Sequence, residues 1–153
     1  MLCGIQGSGK TTLYRDRFLE THVRISLDLL RTRHREAALL RFCLDTRQPF
    51  VVDNTNPTPA DRRRYTEPAH AARFRTVGYL VEVPTNVAIA RNAKRERRTP
   101  VPVAGVLGTR RRFVRPTPEE GFDELWHATS APDGGWRIEP LLVTPELPGM
   151  SGR

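Results

Sequence analysis

Residues Gly4 to Thr11 match G-x-x-x-x-G-K-[ST], a spacing typical of a loop that binds phosphate. Its glycines let the backbone wrap around a phosphate so that successive N–H groups point inward. Lys10 can reach the β- and γ-phosphate oxygens, and the Thr11 hydroxyl can ligate Mg²⁺. We therefore expect a site for ATP or another nucleoside triphosphate with Mg²⁺, formed by Gly4, Gly7, Ser8, Gly9, Lys10, Thr11 and Thr12.

Two more polar clusters follow predicted strands, Ser26–Arg31 and Asp53–Asn56. In parallel α/β sheets, ligands bind outside the carboxyl ends of the strands, so both clusters belong beside the phosphate loop. Asp28 and Arg31 are three residues apart, which on a helix puts both side chains on one side of a turn. A base for a hydroxyl proton and a cation for phosphate are what phosphoryl transfer to an alcohol needs. Helix capping and a simple turn are the alternative interpretations of these clusters.

A cationic run follows the fourth predicted strand. Arg91 and Arg95 are one helical turn apart, and Arg98 continues the same face. One interpretation is a lid that moves arginines over the transferring phosphoryl group. The other is an ordinary solvated helix face.

These residues need a scaffold, and the chain alternates short apolar runs with longer helical patterns. This predicts an α/β fold with a mostly parallel sheet and helices on both faces. The predicted strands are Met1–Cys3, His22–Ser26, Phe50–Asp53, Arg75–Val83 and Trp136–Val143. The predicted helices are Lys10–Glu20, Leu27–Thr46, Ala60–Ala72, Thr85–Arg97 and Val103–Phe113. We expect one domain over residues 1–144 and a flexible tail over 145–153. The first strand is short, so either it is a short strand or the natural chain starts upstream.

Composition indicates the partner and the compartment. The net charge is +8 with a pI of about 10.6, which favours a polyanionic partner such as nucleic acid. No apolar run approaches the length of a membrane span, so we expect no membrane association. Cys3 and Cys43 fit no metal spacing and predict reduced thiols in a cytoplasmic protein.

Taken together, the motifs resemble the polynucleotide 5′-hydroxyl kinases. The segments that carry the resemblance are Gly4–Thr11, Ser26–Arg31, Val51–Pro57, Arg91–Arg95 and Pro116–Phe122. The sequences Asp-Asn-Thr-Asn-Pro and Pro-Thr-x-Glu-Glu-Gly-Phe are the most discriminating, since many P-loop kinases share the rest. The resemblance extends from residue 4 to about residue 125 and implies ATP-dependent phosphorylation of the 5′-OH end of DNA or RNA.

The resemblance also implies roles for single residues. Asp28 matches the general base that activates the acceptor hydroxyl. Arg31 and Thr55 match residues that contact the 3′-phosphate of the acceptor's terminal nucleotide. Arg95, with Arg91 near it, matches the lid arginine that contacts the donor phosphates. The implied fold is a P-loop kinase sheet with strand order 2-3-1-4-5.

We place Asp53 and Asn56 on the acceptor side with Thr55. The chain departs from the family in its short interval from Asp28 to Asp53, which thins the helical wall of the acceptor channel. No Asp-x-Asp-x-Thr phosphatase motif is present, so we expect a lone kinase module. One alternative is a P-loop kinase for a small alcohol such as a nucleoside, sugar or antibiotic, which needs no basic acceptor channel. The other is an inactive nucleotide-binding relative.

Overall fold

The structure, a computed structural model, describes residues 1–95 and 99–142. Its strands are β1 (Leu2–Cys3), β2 (Val23–Ile25), β3 (Phe50–Val52), β4 (Val77–Val81), β5 (Glu124–Ser130) and β6 (Trp136–Pro140). Its α-helices are α1 (Lys10–Arg17), α2 (Leu27–Leu30), α3 (Arg33–Asp45), α4 (Pro59–Ala71), α5 (Thr85–Ala93) and α6 (Val103–Arg112). A 3₁₀ turn spans Pro118–Glu120. Arg98 and the predicted tail lie outside the described residues.

The strands confirm an α/β fold with a mostly parallel sheet. β2 pairs with β3, and β1, β4 and β5 pair side by side, all in parallel. A bridge between Leu2 and Asp53 joins β3 to β1. The resulting order is β2-β3-β1-β4-β5, as the resemblance implies, with β6 antiparallel at the outer edge.

The identity of the fifth strand was predicted incorrectly. The fifth parallel strand is β5, which the sequence analysis missed, and the predicted strand Trp136–Val143 is the antiparallel β6. β5 has the sequence Glu-Leu-Trp-His-Ala-Thr-Ser, and only its Ala128 is fully buried. This segment is neither a continuous apolar run nor a strict alternation of apolar and polar residues, so its strand signal is weak.

The predicted helix Leu27–Thr46 is two helices. α2 ends at Leu30, and Arg31 adopts a left-handed conformation with φ 70°. Thr32 then caps α3, because its hydroxyl accepts a hydrogen bond from Arg35 N at 3.2 Å. The apolar period continues through the break, which is why the pattern suggested one helix.

The core fixes the loops at the carboxyl edge of the sheet. Leu2 and Cys3 of β1 are fully buried, so two residues suffice for the strand that leads into the phosphate loop. The buried clusters lie on both faces of the sheet and comprise Leu2, Leu13, Tyr14, Val51, Val81 and Ala128, then Ile25, Leu40, Cys43, Val52 and Tyr65. Among the described residues no helix is long and apolar enough to cross a membrane.

Candidate active site

The phosphate loop has the backbone that its sequence predicts. Gly7 and Gly9 have φ values of 80° and 104°, in the region that favours glycine. A Cβ on Gly7 would lie 2.1 Å from the Ala88 carbonyl oxygen, and one on Gly4 would lie 2.4 Å from that of Val81. Other side chains are therefore excluded at Gly4 and Gly7 by backbone from other elements.

The Lys10 ammonium lies across this loop. Its Nζ donates to the carbonyl oxygens of Gly4 and Ile5, each at 2.8 Å. Burial lowers the pKa of Lys10 from 10.5 to about 8, although the nearby Asp53 carboxylate opposes this shift. Lys10 is thus a buried cation that a bound phosphate would stabilise.

Asp53 lies against the predicted Mg²⁺ ligand. Its Oδ2 accepts from Thr11 Oγ1 at 2.9 Å and from Arg24 Nε at 2.8 Å, and Arg24 Nη2 is 2.5 Å away. A hydroxyl and a carboxylate are hard oxygen ligands suited to Mg²⁺, which usually takes one or two carboxylates and completes its shell with phosphates and water. Within the described part of the chain, no cluster of three acidic, His or Cys residues could hold a metal alone. These residues fit Mg²⁺ that is bound together with a nucleotide.

A cavity of about 850 Å³ extends from the phosphate loop to the turn after β5. Thr12, Arg91 and Arg95 line it, as expected for a donor site, and we call it the donor cavity. The described residues from Ser130 to Trp136 close its far side, and the sequence analysis missed them. The lining residues are Gly7, Gly9, Lys10, Thr11, Thr12, Arg24, Arg91, Lys94, Arg95, Ser130, Ala131, Pro132, Gly134, Gly135 and Trp136.

Contacts between distant elements hold this far side in place. Arg91 Nη2 donates to Ser130 Oγ at 3.3 Å, which joins α5 to the end of β5. Trp136 Nε1 donates to Asp16 Oδ2 at 3.1 Å, and its ring faces Gly9. Only the fold brings β6 to the phosphate loop, since more than 120 residues separate Gly9 from Trp136.

A second cavity of about 350 Å³ lies on the other side of Lys10. Asp28 and Thr55 line it, so the structure brings together these two predicted site residues. We call it the acceptor cavity. Lys10, Thr11, Arg24 and Arg95 line both cavities, and Arg33 and Arg112 line only this one.

Arg31 does not join Asp28. The prediction of a shared helical turn is wrong, because α2 ends one residue earlier and the chain reverses at Arg31. Arg31 is exposed, and among the described residues that line the acceptor cavity the start of α3 contributes Arg33 instead. A sequence pattern could not reveal this, since the cause is a single left-handed residue.

Asn56 and Arg62 stabilise the loop that follows β3. Asn56 is buried with φ 47°, and its Nδ2 donates to the Leu2 carbonyl oxygen at 2.7 Å. The fully buried Arg62 donates to the Asn56 carbonyl oxygen at 2.9 Å and forms two hydrogen bonds with Glu120, at 2.6 and 2.8 Å. The Pro116–Phe122 motif thus supports the loop that follows β3. The side-chain amide of Asn56 helps to hold the same loop through its hydrogen bond to Leu2.

Ser26 does not cap α2 through its side chain, although it occupies the N-cap position. The Leu27 N–H donates instead to Asn54 Oδ1 at 2.9 Å. The capping interpretation of Ser26 is therefore wrong, and the loop after β3 holds the helix that carries Asp28.

The fold and this site define a P-loop nucleotide-binding domain. A family model described as "AAA domain" matches residues 1–116, so the chain belongs to that family. The fold is also similar to that of a gluconokinase from Sinorhizobium meliloti 1021, with a TM-score of 0.57 and 16% identity over 84% of this chain and 79% of that one. Kti12 from Chaetomium thermophilum, solved with ADP-AlF3, gives a TM-score of 0.66 and 19% identity over 87% of this chain and 90% of that one.

Proposed function

We propose that this protein transfers the γ-phosphate of ATP to the 5′-OH end of DNA or RNA. The observation that carries the proposal is the pair of cavities that meet at Lys10, Thr11, Arg24 and Arg95, with Asp28 on the side away from the donor. A phosphoryl group at this junction would move from one cavity to the other past fixed cations. Such positioning and electrostatic stabilisation supply most of the catalysis in phosphoryl transfer.

On the donor side, the phosphate loop would bind the β- and γ-phosphates, and Lys10 would neutralise charge on their oxygens. Mg²⁺ would be held by Thr11 and the phosphates, with Asp53 beside the Thr11 hydroxyl at 2.9 Å. Arg95 lines both cavities and is therefore suited to contact the group in transit, with Arg91 further along the donor cavity.

On the acceptor side, Asp28 would act as the general base. It takes the proton of the 5′-hydroxyl as that oxygen attacks the γ-phosphorus, and the bond from phosphorus to the β-γ bridging oxygen breaks to release ADP. Asp28 lies in the first turn of α2, whose first N–H is held by Asn54. The base is therefore positioned by the loop that lines the same cavity.

The charge of the acceptor cavity favours a phosphorylated acceptor. Arg24, Arg33, Arg95 and Arg112 line it with Lys10, against three carboxylates, Asp28, Asp53 and Asp61. Arg24 is paired with Asp53, and Arg33 is paired with Glu36 outside the lining, so the five cations still outnumber the four carboxylates on or beside the cavity. Together with the net charge of +8, this supports a polyanionic acceptor. The two buried thiols, which are free, support a cytoplasmic location.

The size of the acceptor cavity favours a second candidate, a kinase for a small alcohol. About 350 Å³ is at the lower end of the range for small-molecule sites and would hold one sugar acid or one nucleoside. A small-alcohol kinase would use Lys10 and Asp28 in the same roles. The two candidates predict different acceptor preferences. Only the polynucleotide kinase should have a lower KM for acceptors that are longer or that carry a 3′-phosphate.

The test offers γ-labelled ATP and Mg²⁺ with 5′-OH DNA, 5′-OH RNA, free nucleosides and gluconate. We expect label on the nucleic acids at far lower concentrations than on the nucleosides. Label on gluconate or a nucleoside alone would establish the small-alcohol kinase instead. ATP binding without transfer to any acceptor would indicate an inactive relative.

A further inference from the structure

The wall of the acceptor cavity at the start of α3 carries one arginine, Arg33. Its Nη1 donates to Glu36 Oε2 at 2.7 Å and to the Tyr65 hydroxyl at 3.1 Å. Half of the side chain remains exposed. One edge of the guanidinium is therefore fixed, whereas its Nε and Nη2 make no hydrogen bond to any residue that the structure describes.

The groups that fix Arg33 form a buried polar network. Glu36 is only 4% exposed, and its Oε1 accepts from the Tyr65 hydroxyl at 2.9 Å and from Asn54 Nδ2 at 2.7 Å. Burial and the adjacent Glu36 carboxylate raise the pKa of Tyr65 to about 12, so this hydroxyl stays a donor at neutral pH. A buried carboxylate with three donors is well satisfied and holds its partners in one geometry.

The same network reaches the proposed base. Asn54 donates to Glu36 through its Nδ2 and accepts from Leu27 N through its Oδ1 at 2.9 Å. Leu27 precedes Asp28 at the start of α2. One set of buried hydrogen bonds therefore sets both the Arg33 guanidinium and the backbone that carries Asp28.

We infer that Arg33, not Arg31, binds an anionic group of the acceptor beside the hydroxyl that is phosphorylated. The inference rests on the proposed function and names its acceptor as a nucleotide end that carries a 3′-phosphate. A planar guanidinium with a free edge suits two parallel hydrogen bonds to phosphate. A sugar-acid carboxylate offers the same chemistry, so the test includes both anions.

The experiment compares R33A with R31A, a matched control two residues away in the same connection. Acceptors are a nucleoside 3′-phosphate, the same nucleoside without phosphate, and gluconate, each with labelled ATP. In the wild type we expect a much lower KM for the 3′-phosphate than for the nucleoside. R33A should raise the KM for the 3′-phosphate roughly 10- to 100-fold and the KM for the nucleoside by far less, because the nucleoside offers the guanidinium no anion to bind. R31A should stay within about twofold of wild type.

A purely structural role of Arg33 would give different KM values. If R33A raised both KM values equally, or if R31A had the larger effect on the 3′-phosphate, the inference would be overturned. Melting temperatures measured by circular dichroism establish that each variant folds. If R33A does not fold, R33K is tested instead. The lysine ammonium is a point charge and cannot form two parallel hydrogen bonds to phosphate, so an intermediate KM for the 3′-phosphate would support the contact. Unchanged discrimination by R33K would overturn the inference.

Failure of the proposed function gives a separate result. If gluconate alone gains label, the polynucleotide assignment falls, and the effect of R33A on the gluconate KM tests Arg33. If no acceptor gains label, calorimetry of the nucleoside 3′-phosphate binding to wild type and R33A tests Arg33 directly. A loss of affinity in R33A supports the contact with the anion, and equal affinities overturn it.

Discussion

On the donor side of the cleft, most of the phosphate contacts expected from the sequence come from residues 4–12, one contiguous stretch that contains the glycines with positive φ, and Arg91 and Arg95 add to them. The acceptor side is assembled differently. The two cations that line only the acceptor cavity come from separate elements, Arg33 on α3 and Arg112 at the end of α6, and Arg24 on β2 lines both cavities. The position of Arg33 depends on Glu36, which accepts long-range hydrogen bonds from Tyr65 and Asn54.

This difference bears on how the two sides respond to substitution. The shape of the phosphate loop depends mainly on glycine backbone, so we expect it to tolerate the removal of a single charged side chain. The acceptor wall shares its hydrogen bonds among four side chains, so removing one also moves the others. We expect donor-side variants to lose turnover while they stay folded. Acceptor-side variants should change both the binding of the acceptor and the position of the neighbouring side chains.

The largest expected effect is that of Lys10→Ala on turnover. The variant should lose activity on the order of 10³- to 10⁵-fold, the range for losing a cationic contact to the transferring phosphoryl group. The variant should still fold, because the loop shape depends mainly on Gly4, Gly7 and Gly9, although the hydrogen bonds from Lys10 to the carbonyl oxygens of Gly4 and Ile5 are lost. Single-turnover assays with labelled ATP measure the loss. A folded Lys10→Ala variant with near-normal activity would remove the donor-site assignment.

Asp28→Asn tests the acceptor side of the same comparison. The amide keeps the size of the carboxylate but cannot take the hydroxyl proton, so transfer should slow by roughly 10²- to 10⁴-fold. ATP affinity should stay near wild type, since Asp28 lines only the acceptor cavity. Lost ATP affinity with a normal rate at saturation would place Asp28 in the donor or metal site instead.

The two sides also differ in how far the sequence predicts them. The α/β class and the phosphate loop are found in the structure, because local patterns and parallel-sheet rules predict them. The strand order is also found, and it came only from the resemblance. The sequence did not predict the break at Arg31, because one left-handed residue changes no apolar period. Nor did it predict Arg24 or Arg33 in the site, because what they contact depends on tertiary packing. The one signal available was Arg24 itself, a charge between the apolar residues of a short strand.

Arg62→Met tests whether the discriminating motifs serve structure. Glu120, whose side chain is 11% exposed, would lose the fully buried Arg62 and keep only the Thr117 N–H, so we expect a loss of about 3–5 kcal/mol in the free energy of unfolding. The matched control is Arg63→Met, since the pair between Arg63 and Glu67 is exposed and should contribute under about 1 kcal/mol. Urea unfolding measures both variants. Equal losses would show that the ion pair is not what stabilises the loop after β3.

The pH dependence of ATP binding sharpens the donor side. With a pKa of about 8, Lys10 is charged at pH 7 and loses its proton as the pH rises through that value. Bound phosphates favour the charged form, so above pH 8 binding must take up a proton, and affinity should fall by up to about tenfold per pH unit. Lys10→Arg keeps its charge and should give a flat profile from about pH 7 to 9.5. Calorimetric titrations of both proteins check this, and matching profiles would contradict the shifted Lys10 pKa.

The smallest expected effect is that of Arg112→Ala, and it asks how far the acceptor side extends. Arg112 is exposed at the end of α6 and lines the acceptor cavity from the wall that does not carry Arg33. When the terminal nucleotide of a nucleic acid occupies the cavity, its next phosphate would lie near Arg112. A mononucleotide has no such second phosphate. Arg112→Ala should therefore raise the KM for a 5′-OH oligonucleotide by a few-fold and leave that for a nucleoside 3′-phosphate unchanged. The salt dependence should agree, because loss of one contact lowers the slope of log affinity against log salt by about 0.7 for a single strand. Equal effects on both acceptors would show that Arg112 contacts the terminal nucleotide. The protein would then bind no part of the acceptor beyond the cavity at this position.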